Sequence, residues 1–329
     1  MGYVAPPWLV GAHAQTIFPA LFKRRGPPLR RQRLETFDGD FVDLDWLDAP
    51  AGHAGAAPLV VLFHGLEGDS SSHYARALMR YLRAIGWRGV VPHFRGCSGE
   101  PNKLPRAYHS GDHAEIGWML SAIRTLEPTA VLFAVGVSLG GSALLNWLGR
   151  EGDRAGALLK AAAAVSAPLD LTAAGVAIGQ GFNRIYAKHF LQTLKPKALD
   201  MARRFPGKLD ELSIRRADSM YAFDDVVTAP LHGFDGADDY WLRASSKPWL
   251  SGIAVPTLVL NARNDPFIPA ESLPTSAEVS AAVTLEQPEG GGHVGFLSAP
   301  FPGRLDWLPL RLVQFFESAQ ERSVASVAR

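Results

Sequence analysis

Between residues 58 and 148 the chain repeats one unit. Residues 58–63 form an unbroken apolar run, 74–85 carry apolar side chains at helical spacing, and 89–94 are apolar again. Residues 114–126, 130–137 and 139–148 continue as helix, strand and helix. Strands that are apolar throughout must be covered on both faces, and strands alternating with helices through short links pair in parallel. This stretch therefore predicts an α/β domain with a mostly parallel sheet and helices on both sides. Ahead of it, residues 29–37 and 41–47 flank Asp38-Gly39, the signature of a β-hairpin. Residues 50–57 read as a small-residue loop.

The rhythm breaks between residues 168 and 248, which are rich in charged and aromatic side chains and hold helical stretches at 181–194 and 197–203. Strand patterns return at 253–261 and 282–287, and an amphipathic helix follows at 308–319. The expected organisation is an N-terminal arm (1–28) packed on a core (29–167 and 249–329), with residues 168–248 as an inserted cap.

Composition narrows the function. The chain has 329 residues, 47% hydrophobic and 20% charged, which suits a folded globular protein. Lys and Arg total 33 against 32 Asp and Glu, leaving no overall field to draw in nucleic acid or an anionic membrane. The basic cluster Lys23, Arg24, Arg25, Arg30, Arg31 and Arg33 reads as a solvated edge. Cys97 is the only cysteine, which rules out an internal disulfide and a cysteine-rich metal site. Residues 1–19 lack the apolar run of a signal peptide or membrane span, so a cytoplasmic protein without an integral membrane segment is expected.

Gly136-Val137-Ser138-Leu139-Gly140 lies directly between a predicted strand and a predicted helix. Small residues on both sides let the chain turn sharply and expose the Ser138 hydroxyl at a helix N-terminus, where negative charge is favoured. Serine needs a base to become a nucleophile. Asp265 follows an apolar strand, and His293 sits in Glu289-Gly290-Gly291-Gly292-His293, which completes the order Ser, acid, His. Asp170 is a rival acid, read instead as the cap of the first helix of the insertion. His64-Gly65-Leu66-Glu67-Gly68 follows the first buried strand. The backbone N–H groups of Leu66 and Leu139 are the candidates for an oxyanion hole, with His64 orienting the loop. Cys97 reads as packing rather than reactive, and His109 with Ser110 as capping the helix at 112–126. The remaining histidines are scattered, so no metal is expected.

Several stretches resemble the YheT-like branch of the α/β-hydrolases, which includes the plant embryogenesis-associated proteins and membrane-anchored animal lipases. They include Ala12-His13-Ala14-Gln15-Thr16, Arg95-Gly96-Cys97-Ser98-Gly99-Glu100, Tyr108-His109-Ser110-Gly111 and Asp265-Pro266-Phe267. The resemblance implies the α/β-hydrolase fold, esterase or lipase-type activity, a Ser138–Asp265–His293 triad and no cofactor. Asn264 stands where relatives often carry a second Asp, and Glu115 where an Asp is frequent. The animal relatives' anchor has no counterpart, so a lipid-surface role does not carry over from them.

The expected activity is hydrolysis of a small-molecule carboxylic ester through an acyl-enzyme. Cap aromatics such as Phe182, Tyr186, Phe223 and Tyr240 are expected to roof a pocket for an apolar acyl chain. An acyltransferase on the same triad and a non-catalytic binding protein of this fold are the alternatives. Oligomeric state is not encoded in any pattern visible here.

Overall fold

The turn at Asp38-Gly39 forms as its residues require. In the computed structural model, which describes residues 2–21, 25–49 and 57–327, Gly39 takes a left-handed φ of 81°. It joins β1 (Arg30–Glu35) to β2 (Phe41–Leu47), antiparallel, with Arg30 opposite Trp46 and Glu35 opposite Phe41. Nearly all of the expected 50–57 loop, and Lys23 and Arg24 of the basic cluster, lie outside the described residues. The other strands are β3 (Leu59–Phe63), β4 (Arg88–Pro92), β5 (Leu132–Val137), β6 (Ala161–Val165), β7 (Thr257–Leu260) and β8 (Val283–Glu286). They complete an eight-stranded sheet in the order β1-β2-β4-β3-β5-β6-β7-β8. Every pairing from β4 to β8 is parallel, and β2 pairs antiparallel with β4.

This order has one functional consequence. From β3 the chain steps outward to β4, then returns to lay β5 on the other side of β3. Where the stepping direction reverses, the loops leaving the C-terminal ends of adjacent strands diverge and open a crevice. Here those ends are Phe63–His64 and Val137–Ser138.

Alternation along the buried strands fills two cores. Val61, Phe63 and Ala134 face α3 (His113–Leu126) and α4 (Leu139–Glu151), where Ile116, Met119 and Leu144 meet them. Val60, Leu62 and Phe133 face α2 (His73–Ala84) and α11 (Trp307–Val327), against Met79, Leu82 and Phe316. Each such side chain contributes about 1.5–3 kcal/mol by leaving water. β7 starts later than the apolar run at 253–261 implies, because Pro256 has no N–H to give a ladder.

The hairpin is tied to the core by Arg95. Its guanidinium meets Glu115 at 2.8 Å, Asp40 at 3.1 Å and Asp38 at 3.0 Å, with Glu115 and Asp40 fully buried. Asn102 donates to Asp40 and to the Phe41 carbonyl. The Arg95-to-Asn102 run is thus a clamp between hairpin and α3, and Glu115 supplies the reach that an Asp lacks.

Between β6 and β7 the chain forms α5 (Leu171–Ile178), α6 (Arg184–Arg204), α7 (Glu211–Arg216), α8 (Met220–Phe223), α9 (Ala229–His232) and α10 (Ala237–Ala244). Asp170 caps α5, accepting from Ala173 N at 3.0 Å. The two helices expected at 181–194 and 197–203 are one, running through Pro196. Ala187, Leu191, Ala198 and Ala202 keep one buried face across that proline. Their packing outweighs the roughly 3 kcal/mol that an internal proline costs. No helix among the described residues is long and apolar enough to cross a membrane.

Candidate active site

β5 ends at Val137, and Ser138 takes φ 52° and ψ −121° before α4 begins. A positive φ is uncommon outside glycine and marks strain held by its surroundings. Here Ser138 N donates to the Val165 carbonyl at 2.8 Å. The turn also presses against the loop after β3. A Cβ on Gly140 would lie 2.5 Å from the His64 carbonyl oxygen, so only glycine lets α4 start so close.

Two residues that are remote in sequence meet this serine. His293 Nε2 lies 3.0 Å from Ser138 Oγ, and His293 Nδ1 lies 2.8 Å from Asp265 Oδ2. Asp265 has a fully buried side chain, and its other oxygen accepts from Phe267 N at 2.9 Å. With the carboxylate on Nδ1, the proton resides there and Nε2 is left to accept from the hydroxyl. Asp170, the rival acid, is bound to its helix cap and takes no part in this chain of contacts.

The loop that carries His293 is held by groups that sequence reasoning did not single out. Four consecutive N–H groups are each taken by a different side chain. Gly291 N donates to Gln15 Oε1 (2.8 Å), Gly292 N to Asn264 Oδ1 (3.0 Å), His293 N to Thr16 Oγ1 (2.9 Å) and Val294 N to Ser166 Oγ (3.0 Å). Asn264 Nδ2 in turn donates to Gln15 Oε1 at 2.9 Å. Gln15 and Thr16 come from α1 (Ala12–Ala20) at the other end of the chain. Gly292 has φ 57°, and a Cβ there would stand 2.7 Å from Thr16 Oγ1. The only signal for these roles was the Ala12-to-Thr16 stretch of the resemblance. Asn264, at the position where relatives often carry a second Asp, bridges α1 to the loop.

The loop after β3 lies against the serine: a Cβ on Gly65 would stand 3.1 Å from Ser138 Cβ. Gly65 N donates to Tyr74 Oη and Glu67 N to Tyr108 Oη, while neither Leu66 N nor Leu139 N has a hydrogen-bond acceptor among the described residues. Glu67 is held at φ 55° by Tyr108 and by Lys197 of α6, 2.8 Å from its carboxylate. His64 is fully buried, donates from Nδ1 to the Gly65 carbonyl (2.8 Å) and accepts from Phe94 N at Nε2 (3.1 Å). Burial holds it down at about 3, so the ring is neutral.

A cavity of about 720 Å³ opens beside Leu66 and Leu139, between the sheet and the inserted helices. Leu194, Met201, Phe223, Val227 and Leu231 give it an apolar wall. Of the aromatics expected to roof a pocket, Phe223 and Tyr240 line it. Tyr186 instead packs on Phe267 (ring centroids 4.7 Å apart), which touches His293 at 4.4 Å. Trp241 packs on Tyr221 and donates to buried Asp224. Cys97 borders the cavity, and burial pushes its thiol up to about 12. His109 does not cap the helix at 112–126. Asp112 does, accepting from Glu115 N, because its shorter side chain sits at the cap position itself. His109 packs against His232 with ring centroids 4.5 Å apart, tilted by 56°, and Ser110 N donates to Tyr240 Oη, so this stretch joins the inserted helices to the core. Among the described residues no three His, Cys, Asp or Glu side chains converge on a point that would hold a metal.

A parallel sheet with a strained serine between β5 and α4 defines an α/β hydrolase, and the chain belongs to that family, whose model matches residues 58–300. Within it the chain is 40% identical over 304 residues to YheT of Escherichia coli K12, covering 91% of this chain and 88% of that one. The human phospholipase ABHD3 is 28% identical over 326 residues, 97% of this chain and 79% of its own. Among solved structures, the Pyrococcus furiosus esterase Pf2001 superposes with a TM-score of 0.58 at 15% identity, covering 89% of this chain and 91% of that one. The last likeness speaks for the fold alone. The YheT-like resemblance expected from the motifs holds.

Proposed function

We propose that this α/β hydrolase cleaves carboxylic esters through an acyl-enzyme, with Ser138 as nucleophile. The observation that carries the reading is the unbroken hydrogen-bond chain Asp265–His293–Ser138, ending on a serine in strained geometry. Ser138 Oγ attacks the carbonyl carbon while His293 Nε2 takes its proton. The carbonyl oxygen becomes an oxyanion between the free N–H groups of Leu66 and Leu139. Collapse breaks the ester C–O bond, and the alcohol leaves with the proton from His293. Water then repeats the attack on the acyl-serine, His293 again serving as base, and the acid departs. Asp265 keeps Nδ1 protonated and stabilises the imidazolium.

Residues 168–248 act as a cap that sets substrate choice. The cavity supports this reading, because Leu66 and Leu139, the latter next to Ser138 in the chain, border it and its apolar wall suits a medium-length acyl chain. The esterase name carried by YheT and the phospholipase name of ABHD3 agree with ester chemistry.

The test is labelling by a fluorophosphonate probe together with hydrolysis of activated esters, for the parent and for Ser138→Ala. Labelling and turnover in the parent, both lost in a folded Ser138→Ala protein, are expected. Equal turnover by the variant removes Ser138 from the mechanism.

A further inference from the structure

Helix α1 is amphipathic in the wrong sense for a surface helix. Its polar Gln15 and Thr16 are buried under the histidine loop, while Ile17, Ala20 and Leu21 face outward, Leu21 being 64% exposed. On one side Trp8 packs edge-on against Phe18 (5.3 Å) and Phe301 (5.4 Å), and Phe301 is 73% exposed. On the other, His13 lies 4.4 Å from the ring of Phe182, beside Ile185 of α6, which is 58% exposed. An apolar surface thus runs from the loop around residue 301, over α1, to the start of α6. Surfaces of this kind on soluble domains mark a site of contact.

Two of the segments that build it are one-sided in charge. Residues 1–34 and 171–199 hold ten Lys and Arg and no Asp or Glu, although the whole chain is nearly balanced. Arg30, Arg31 and Arg33 are answered by Asp48, Asp45 and Asp43 of the β1–β2 hairpin segment, Lys197 by Glu67, and Lys195 by the Arg215 and Ala217 carbonyls. Arg184 and Lys188 are not: they stand exposed one turn apart on α6, with no ion-pair partner among the described residues. The sequence also sets Lys23-Arg24-Arg25 directly after Leu21-Phe22.

We propose that this face docks the protein on an anionic lipid surface, with Leu21, Phe301 and Ile185 entering the headgroup boundary and the cations meeting lipid phosphates. A second copy of the chain is a poor match, because two such basic faces repel. Bare phosphodiester is a poor match for so much exposed hydrocarbon. The loop that carries His293 hangs from the inner side of the same helix, so docking sets α1 between that loop and the lipid. Docking itself does not depend on the ester-hydrolase assignment, and its test reads binding alone.

The test is flotation of the full chain carrying Ser138→Ala, which leaves the lipid intact, with equimolar phosphatidylglycerol–phosphatidylcholine vesicles or with phosphatidylcholine alone. The protein is expected to float with the anionic vesicles, less with the neutral ones, and less at high salt. Leu21→Glu combined with Ile185→Glu should cut the bound fraction at least about tenfold, and Lys188→Gln should weaken partition about fivefold. In the Ser138 background these variants keep parent turnover of a water-soluble ester, which shows they are folded. No flotation at low salt overturns the proposal, as does equal flotation by the Leu21→Glu, Ile185→Glu protein. A parent dimer in solution that those substitutions dissociate overturns it in favour of a second copy.

Discussion

Replacing Thr16 by Val preserves the side chain's shape and removes one acceptor from the histidine loop. Thr16 Oγ1 donates to the Ala12 carbonyl at 2.8 Å, which turns its lone pairs toward His293 N, 2.9 Å away. The neighbouring N–H groups of Gly291, Gly292 and Val294 keep their acceptors, so the loop is loosened at one peptide and not melted. A buried N–H left without a partner costs about 1–3 kcal/mol. The loop recovers that energy only by turning the His293 peptide toward water, which carries the imidazole off Ser138. If the cost appears wholly as a smaller aligned population, kcat/KM falls about 5- to 150-fold, at 1.36 kcal/mol per factor of ten. Thr16→Ser keeps the hydroxyl and should stay within about threefold, since only a methyl is lost. The assay is hydrolysis of an activated ester alongside the fluorophosphonate labelling rate, with Tm as a check on folding. Parent-level labelling by Thr16→Val refutes the reasoning. So does a Thr16→Ser variant as slow as the valine, because packing against Gly292 would then be the cause.

Asp265→Asn should lower turnover by several orders of magnitude, as the matching change in a serine protease costs about ten-thousand-fold. Asp170→Asn should cost about 1 kcal/mol of stability or less as a changed helix cap; turnover and Tm of both variants separate the roles, and an inactive Asp170→Asn reverses them. Leu194→Trp fills part of the cavity wall, so a chain-length series should shift toward shorter acyl groups, by about fourfold in kcat/KM for each methylene excluded. Burial raises Asp224 from 3.8 to about 6, so the folded state holds that proton more tightly than the unfolded one. Stability is therefore lost as pH rises from about 4 through 6, reaching about 3 kcal/mol at pH 7, of which about 1 develops between pH 5 and 7. Asp224→Asn removes this loss; denaturant midpoints at the two pH values should diverge from the parent's, and parallel values count against it.

Which parts of this molecule were legible depended on whether the signal was local. Apolar runs marked β3 and β5, because a strand covered on both faces needs no knowledge of what covers it. Ser138, Asp265 and His293 stood out by residue type and by the strand ends they follow, and the fold brings them within hydrogen-bonding distance across 155 and 28 residues of chain. Gln15 and Ser166 carried no such mark. A buried amide or hydroxyl shows its use only when the N–H it serves is known, and those N–H groups belong to a loop on another element. Pro196 misled because its local cost is legible while the continuous face from Ala187 to Ala202 is a tertiary gain. The balanced net charge concealed two acid-free segments that the fold lays side by side.

The bond between Gln15 and Gly291 spans 276 residues. On a ribosome adding about 5–20 residues per second, α1 emerges roughly 15 to 55 s before the loop it will hold. Through that interval the serine turn can form while the imidazole that would activate it has not been made. Translation halted short of residue 291 yields a chain with most of the sheet and no base. On the proposed mechanism, hydrolysis switches on only once the chain past His293 has emerged, and the shorter nascent chain meets the cell's esters inert.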